Sequence, residues 1–149
     1  MTASAMTLAD LTTRTGLDVL DHLERELEIP VTDGLQAQGD LLVIPYAAVA
    51  HAVTPWGSEW SWHAVPRQGV ELLRGAGGGN PHTLVADPGT CFWNPSTRDT
   101  MGLTIGVLKT SAIAYLIHPE HGASGIAPGM YAVRRQRERG PRRSYFVMD

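Results

Sequence analysis

Residues 83–117 read TLVADPGTCFWNPSTRDTMGLTIGVLKTSAIAYLI, and this stretch decides the predicted fold class. Four short, mostly apolar runs alternate with turn-forming residues: Thr83–Ala86, Thr90–Trp93, Leu103–Leu108 and Ala112–Ile117. Short apolar runs bounded by Gly, Pro or Asp are typical of buried strands. The stretch therefore predicts a series of consecutive β-strands.

The same pattern continues on both sides of this stretch. The chain has 16 Gly and 10 Pro, spread from Pro30 onward with few exceptions, which favours many short elements joined by turns. Further strands are predicted at Leu41–Ile44, Trp60–Val65, Val70–Leu73, Met130–Gln136 and Ser144–Val147. Residues 47–53 fit either a strand or a helix. The prediction is an all-β fold, a small barrel or sandwich of about eight short strands.

A different periodicity precedes the strands. Residues Thr7–Ile29 have helical spacing, and Thr15 with Asp18 has the spacing of a capping box. Gly16 separates a short first turn from the main helix. One stripe of that helix is apolar: Leu17, Leu20, Leu23 and Leu27. The sequence thus predicts one N-terminal amphipathic helix.

Length and composition limit the class of protein. The 149 residues suffice for one domain, which we divide into an arm and helix at 1–38 and a β domain at 39–149. No run of eighteen apolar residues exists, so no membrane partner is predicted. The first residues lack the features of a signal peptide. The single cysteine, Cys91, excludes an internal disulfide and reads as a packed small hydrophobe. We expect a cytoplasmic protein.

Charge is unevenly distributed. Residues 1–133 carry six basic and thirteen acidic side chains, whereas residues 134–149 have a net charge of +4. The basic end consists of Arg134, Arg135, Arg137, Arg139, Arg142 and Arg143. These arginines either pair with the chain's own carboxylates or bind a partner, with nucleic acid as one option.

Four tryptophans are expected in the core or at a protein interface: Trp56, Trp60, Trp62 and Trp93. We assign Trp56 and Trp60, together with the C-terminal arginines, to partner binding. The partner is a different protein or a second copy of this chain.

Histidines provide the main chemical signal. His118 and His121 flank Glu120 in a segment that Pro119 is expected to bend, so that both rings can face one point. With His63 and Glu120 they would form a site for one divalent transition metal. Alternatively, His118 and His121 hold a turn through hydrogen bonds to the backbone. The remaining histidines read as isolated: His22, His51 and His82.

Several stretches resemble a group of small bacterial and prophage-encoded proteins of unknown function: Gly39–Pro45, Trp62–Val65, His118–Gly122 and Pro128–Glu138. The resemblance covers most of residues 39–149. The group's His-x-His followed downstream by His-x-x-His is similar to a cupin-style ligand set, which implies metal binding in a barrel. Here Ser61 stands where the first histidine of that pattern would be, and serine is a poor ligand for zinc or iron.

Two functions follow as hypotheses. The first is a non-catalytic β-domain, without a cofactor, that acts as a binding or assembly protein. The resemblance to prophage proteins implies that such a protein could also be located in a virion. The second is a metal-binding protein or metal-dependent small-barrel enzyme that uses His63, His118, His121 and Glu120. Whether the protein is an enzyme stays open at this point.

Overall fold

The computed structural model describes residues 6–20, 25–74, 80–139 and 144–146. Helix α1 spans Leu8–Thr15, helix α2 spans Tyr46–Val49, and a 3-10 helical turn spans Glu59–Ser61. The other elements are strands: β1 Val31–Thr32, β2 Gln36–Gln38, β3 Leu41–Pro45, β4 Val53–Pro55, β5 His63–Ala64, β6 Val70–Arg74, β7 Pro81–Val85, β8 Cys91–Asn94, β9 Thr97–Asp99, β10 Thr104–Thr110, β11 Ala114–His118, β12 Gly122–Ile126, β13 Gly129–Arg135, β14 Arg137–Arg139 and β15 Ser144–Phe146.

These strands form two main sheets. One has five strands in the order β1-β12-β11-β7-β6, and the other has six in the order β2-β3-β13-β10-β8-β5. Pairing is antiparallel except between β1 and β12. Two short ribbons, β4-β9 and β14-β15, lie outside the main sheets. The all-β prediction is confirmed.

The main core lies between the two sheets. Successive side chains of a strand point to opposite faces, so Leu84 of β7 and Leu116 of β11 face inward while Val85 and Ile117 face outward. Inward residues of both sheets form one buried cluster, with Leu41, Val43, Trp93, Leu108 and Val133 on the six-stranded side. The described strands form a sandwich of two open sheets and do not close into a barrel.

Each sheet is covered on its outer face by a further layer. On the five-stranded sheet, Leu8, Leu11 and Ile29 of the N-terminal segment pack against Val85 and Ile117. On the six-stranded sheet, residues of α2 and β4 pack against outward residues of β10 and β13. The N-terminal segment and the α2–β4 layer therefore lie on opposite sides of the sandwich. None of the described helices has the length and apolar character needed to cross a membrane.

The N-terminal helix is shorter than predicted. The Thr7 hydroxyl accepts the Asp10 N–H at 3.1 Å, and the Asp10 carboxylate accepts the Thr7 N–H at 3.2 Å, so the capping box lies eight residues earlier than expected. Gly16 then adopts a left-handed conformation with φ of 74° and ends the helix. The predicted cap at Thr15 is wrong, because Thr15 is the last helical residue.

Residues 17–20 and 25–29 are not helical, which corrects the prediction of a helix up to residue 29. The chain after Gly16 is held by tertiary contacts instead, since the Leu20 N–H donates to the Pro119 carbonyl at 2.8 Å. Two members of the predicted apolar stripe, Leu20 and Leu27, are exposed. Leu23 lies outside the described residues.

One strand prediction needs correction, and the strands β1, β2, β9 and β12 were not predicted. The predicted strand at residues 60–65 is a 3-10 turn followed by the two-residue β5. β12 was not predicted, because the small residues of Gly122–Ile126 have low strand propensity. They fit here since a Cβ at Gly125 would lie 2.6 Å from Val31 Cγ2 of the adjacent β1. β1 and β2 belong to the predicted arm and yet join the sheets.

Candidate functional site

The His118–Gly122 segment forms the tight turn between β11 and β12. His118 pairs with Gly122 across the hairpin, so three residues form the loop. His118 Nδ1 accepts the backbone N–H groups of Glu120 at 3.0 Å and His121 at 3.3 Å. The structure thus shows for His118 the turn-holding hydrogen bonds that the sequence offered as the alternative to metal binding.

A third histidine, His82 at the start of β7, joins this turn from the neighbouring strand. The ring centroids of His82 and His118 are 4.4 Å apart, and those of His118 and His121 are 4.5 Å apart. His82 and His118 are fully buried, whereas His121 is exposed. The centroids of His82 and His121 are 6.3 Å apart, so the three rings form a bent cluster, here called the histidine column, that reaches from the core to the surface.

At its buried end the histidine column is bonded to the opposite sheet. His82 Nδ1 lies 2.9 Å from Gln38 Oε1, and His82 Nε2 lies 2.8 Å from Asp40 Oδ1. The Gln38 amide nitrogen donates to the Leu116 carbonyl at 2.9 Å, which fixes Oε1 as the atom facing His82. Gln38 and Asp40 belong to the β2–β3 hairpin, so this network connects the two sheets.

The proton positions follow from these contacts. Gln38 Oε1 only accepts, so His82 Nδ1 must carry a proton, and a further proton lies between His82 Nε2 and the Asp40 carboxyl group. In His118, Nδ1 accepts hydrogen bonds, so the proton of a neutral ring is on Nε2. A histidine nitrogen needs a free lone pair to bind a metal ion. The lone pairs that His82 and His118 would use for this are already engaged in the observed hydrogen bonds.

The predicted metal set is only partly brought together. His118, Glu120 and His121 meet at the hairpin, where Glu120 Oε1 accepts the Asn80 amide N–H at 2.8 Å. His63 is exposed on β5, an edge strand of the six-stranded sheet, and His82 stands beside His118 instead. Within the described residues, no three His, Cys, Asp or Glu side chains are grouped to hold a metal ion.

Sequence reasoning missed His82, although a signal for it was present. His82 and His118 each lie two residues from the core leucines Leu84 and Leu116, so both share the inward phase of their strands. The pairing of Leu84 with Leu116 then sets the two histidines on the same side of neighbouring strands. That register was not readable from the sequence.

Cys91 is buried in the main core on β8. Burial raises the pKa of its thiol to about 11, and hydrogen bonds to Thr110 and the Phe92 backbone lower it by less. At pH 8 we expect negligible reaction of the native protein with a thiol reagent and one reactive thiol per chain after denaturation, because the thiolate is the nucleophile. Equal labelling rates in native and denatured protein would contradict this burial.

A second candidate site lies on the opposite side of the sandwich from the N-terminal segment. The Arg98 guanidinium stands 3.9 Å from the ring centroid of Trp56, and Lys109 Nζ stands 4.2 Å from that of Trp62. Both tryptophans flank one loop, residues 56–62, while Arg98 and Lys109 come from β9 and β10. We call these four residues the tryptophan–cation surface.

Trp56 is the exposed indole of the tryptophan–cation surface, with 52% of its area open to solvent. Its position is fixed by the backbone, because the Trp56 N–H donates to the Ser96 carbonyl at 2.9 Å. The next residue, Gly57, has φ of 95°, and a Cβ there would lie 2.1 Å from Ser61 Oγ. The loop backbone is therefore fixed at Trp56, and it presents a half-exposed indole with a cation stacked on it.

Other residues predicted to bind a partner have different surroundings. Arg134 donates to Asp99 Oδ1 and to Thr104 Oγ1, both at 3.2 Å, so it is engaged within the chain. Arg135 is exposed at the end of β13. Trp60 lies in the 3-10 turn, and Arg137 and Arg139 lie on β14, but their side chains are outside the described part of the structure. Arg142 and Arg143 are outside it entirely.

Comparison with protein families gives a match that covers most of the chain. A model described as a domain of unknown function, DUF8820, matches residues 37–136. The chain belongs to the DUF8820 family. No curated protein and no solved structure shows significant similarity to it.

The DUF8820 match places both candidate sites inside the family domain. It includes Gln38, Asp40 and the whole histidine column, as well as the tryptophan–cation surface. It leaves out α1 and β1, so the layer on the outer face of the five-stranded sheet lies outside the DUF8820 match.

Proposed function

We propose that this DUF8820 protein is a non-catalytic β-domain that acts by binding a macromolecular partner through its tryptophan–cation surface. The observation that carries the proposal is the half-exposed Trp56 with the Arg98 guanidinium stacked 3.9 Å from its ring centroid. Trp and Arg are the residues most enriched among those that dominate interface energies. Because the indole and guanidinium already support each other, little side-chain freedom remains to be lost on binding.

A non-catalytic role is supported by the bonding of the reactive groups. His82 and His118 are fully buried; both nitrogens of His82 form bonds that join the sheets, and Nδ1 of His118 accepts bonds that hold the hairpin. The Cys91 thiol is buried, with its pKa raised to about 11. Both features suit a stabilising role better than proton transfer or nucleophilic attack. Metal binding by His121, Glu120 and His118 stays a prediction.

We propose more specifically that the protein takes part in the assembly of a larger complex. The resemblance of Gly39–Pro45 and His118–Gly122 to bacterial and prophage-encoded proteins supports a component that joins other subunits during phage assembly. The protein would then be found in the cytoplasm or in the virion. The exposed indole suits a protein partner, whereas the acidic body of the chain disfavours nucleic acid.

The test compares binding by matched variants. Three proteins are used to recover partners from an extract of producing cells: the wild type, the double variant Trp56→Ala/Arg98→Ala and the control Arg67→Ala. The control removes an exposed cation from a turn. A recovered protein is identified by mass spectrometry, purified and titrated against all three. We expect the double variant to bind at least about thirtyfold more weakly, because the loss of even one such anchor costs about 2 kcal/mol or more.

Arg67→Ala should bind like the wild type. The proposal is wrong if every partner that binds the wild type binds the double variant equally well, provided that circular dichroism shows both to be folded.

A further inference from the structure

The N-terminal layer has a groove near the exposed end of the histidine column. A cavity of about 240 Å³ lies between the N-terminal segment and the β11–β12 hairpin. Its walls are mainly apolar, and Glu28 and His121 add polar groups: the lining includes Leu8, Leu27, Glu28, Ile29, Pro30 and His121. An apolar cavity of about 150 Å³ holds a benzene ring, so this groove has room for an indole.

The groove carries negative charge and an exposed leucine. Leu27 is 68% exposed at its rim, and Glu28 is exposed beside it. The surrounding segment has further exposed acids at Asp10, Asp18 and Glu26. Its basic residues are engaged within the chain: Arg14 forms an ion pair with Asp87, and Arg25 donates to the Val19 carbonyl.

The tryptophan–cation surface has the complementary character. It presents the exposed indole of Trp56 together with the positive charges of Arg98 and Lys109. Two acids lie close to it in sequence: Glu59 in the loop, and Asp99, whose carboxylate pairs with Arg134. The groove lies on the outer side of the five-stranded sheet, and this surface lies on the outer side of the six-stranded sheet. A chain therefore cannot fill its own groove with its own Trp56.

We propose that copies of this chain associate head to tail, with Trp56 of one copy inserted into the Leu27–Glu28 groove of the next. Arg98 would then meet the Glu28 carboxylate at the rim of the groove, where the pair is partly shielded from water. Opposite faces make this contact heterologous, so it generates a ring or an open filament rather than a two-fold dimer. The inference rests on the proposed function and names its partner as a second copy.

The experiment is a charge exchange followed by sedimentation velocity over a concentration series. Arg98→Glu and Glu28→Arg each set like charges against each other, so each purified variant is expected to associate at least tenfold more weakly than the wild type. An equal mixture is expected to regain association, because the Arg98→Glu copy and the Glu28→Arg copy present opposite charges to each other in both directions. Wild-type association should weaken as salt increases.

Arg67→Glu is the matched charge reversal outside the proposed contact and should associate like the wild type. Circular dichroism and thermal unfolding check that each variant is folded, and regained association in the mixture itself shows that both are. A wild-type protein that stays monomeric up to about 1 mM at low salt overturns the inference. Association that none of the substitutions changes overturns it as well.

These outcomes separate the two proposals. If the wild type is monomeric but a partner from the extract depends on Trp56 and Arg98, the proposed function stands and the second copy is the wrong partner. If copies associate without using Trp56, the head-to-tail contact is wrong, and the proposed function falls only if the double variant Trp56→Ala/Arg98→Ala also binds every partner from the extract as well as the wild type does.

Discussion

Replacing His82 with alanine is expected to lower the free energy of unfolding by about 3–5 kcal/mol, because removing one member of a buried polar pair leaves the other without compensation. His82 is fully buried and bonds to Gln38 Oε1 and Asp40 Oδ1. The alanine variant would leave the Asp40 carboxyl group almost enclosed between the sheets, and it would also create a cavity. Urea unfolding followed by circular dichroism measures the loss.

His51→Ala is the matched control, since His51 is exposed on a turn, and it should change the free energy of unfolding by no more than about 0.5 kcal/mol. Asp40→Ala should cost about as much as His82→Ala. The double variant should cost clearly less than the two single losses together, because either loss alone already breaks the pair. Additive losses would show that the two side chains do not act as a unit.

A large loss of stability in His82→Ala would mean that the histidine column stabilises the contact between the two sheets. Gln38 and Asp40 of the six-stranded sheet reach His82 and the Leu116 carbonyl of the five-stranded sheet. If His82→Ala were as stable as the wild type, the buried network would contribute nothing to the fold. Such a result would favour a chemical role for the histidine column over a stabilising one.

The sequence predicted the strands well where apolar runs meet turn residues, as at Leu84 and Leu116, because burial between two sheets requires such runs. It failed for residues 17–29, where helical spacing was present but Leu20 and Leu27 are exposed. Tertiary contacts decide the conformation of that segment, and the hydrogen bond from Leu20 to Pro119 joins residues far apart in sequence. Local periodicity does not report such contacts.

The candidate sites show the same limit. The His118–His121 turn was readable because its residues are adjacent, whereas the partners of His82 depend on strand register and on how two sheets face each other. The exposure of Trp56 could be predicted only as one of two options, core or interface. Its stacking with Arg98 follows from the pairing of β4 with β9, which sets Thr54 opposite Arg98.

The β9–β10 connection, which follows Arg98, depends on one carboxylate. Asp99 accepts N–H groups of Met101 at 2.8 Å, Leu103 at 3.2 Å and Thr104 at 2.8 Å, and also the Thr104 hydroxyl at 2.6 Å. Arg134 Nη2 adds an ion pair at 3.2 Å. Only 4% of the Asp99 side chain is exposed. If Asp99 were removed, water could therefore hardly replace its carboxylate as the acceptor for these donors.

Asp99→Ala is therefore expected to lower the free energy of unfolding by about 3 kcal/mol at pH 7, since it leaves several donors and the Arg134 charge unpaired. Asp87→Ala is the matched control. Asp87 also pairs with an arginine, Arg14, but both side chains are exposed, so its loss should cost no more than about 1 kcal/mol. Similar losses for the two variants would show that the Asp99 network has no special role.

The same carboxylate gives a pH dependence with a defined sign. Burial acts to raise the pKa of Asp99, but hydrogen bonds from Thr104 and Met101 and the Arg134 charge outweigh it and lower the pKa. A lowered folded-state pKa adds stability that is present above the pKa of an unfolded aspartate, about 3.9, and is lost as the pH falls through the folded value.

The stability difference between wild type and Asp99→Asn should therefore be largest near pH 7 and shrink below about pH 4, where the wild-type carboxylate gains a proton. Urea unfolding of both proteins across this range measures it. A difference that stays constant into the acid range would mean that the Asp99 charge contributes nothing beyond the shape of its side chain. The connection beside Arg98 would then be fixed by packing alone, and acid would leave the tryptophan–cation surface in place.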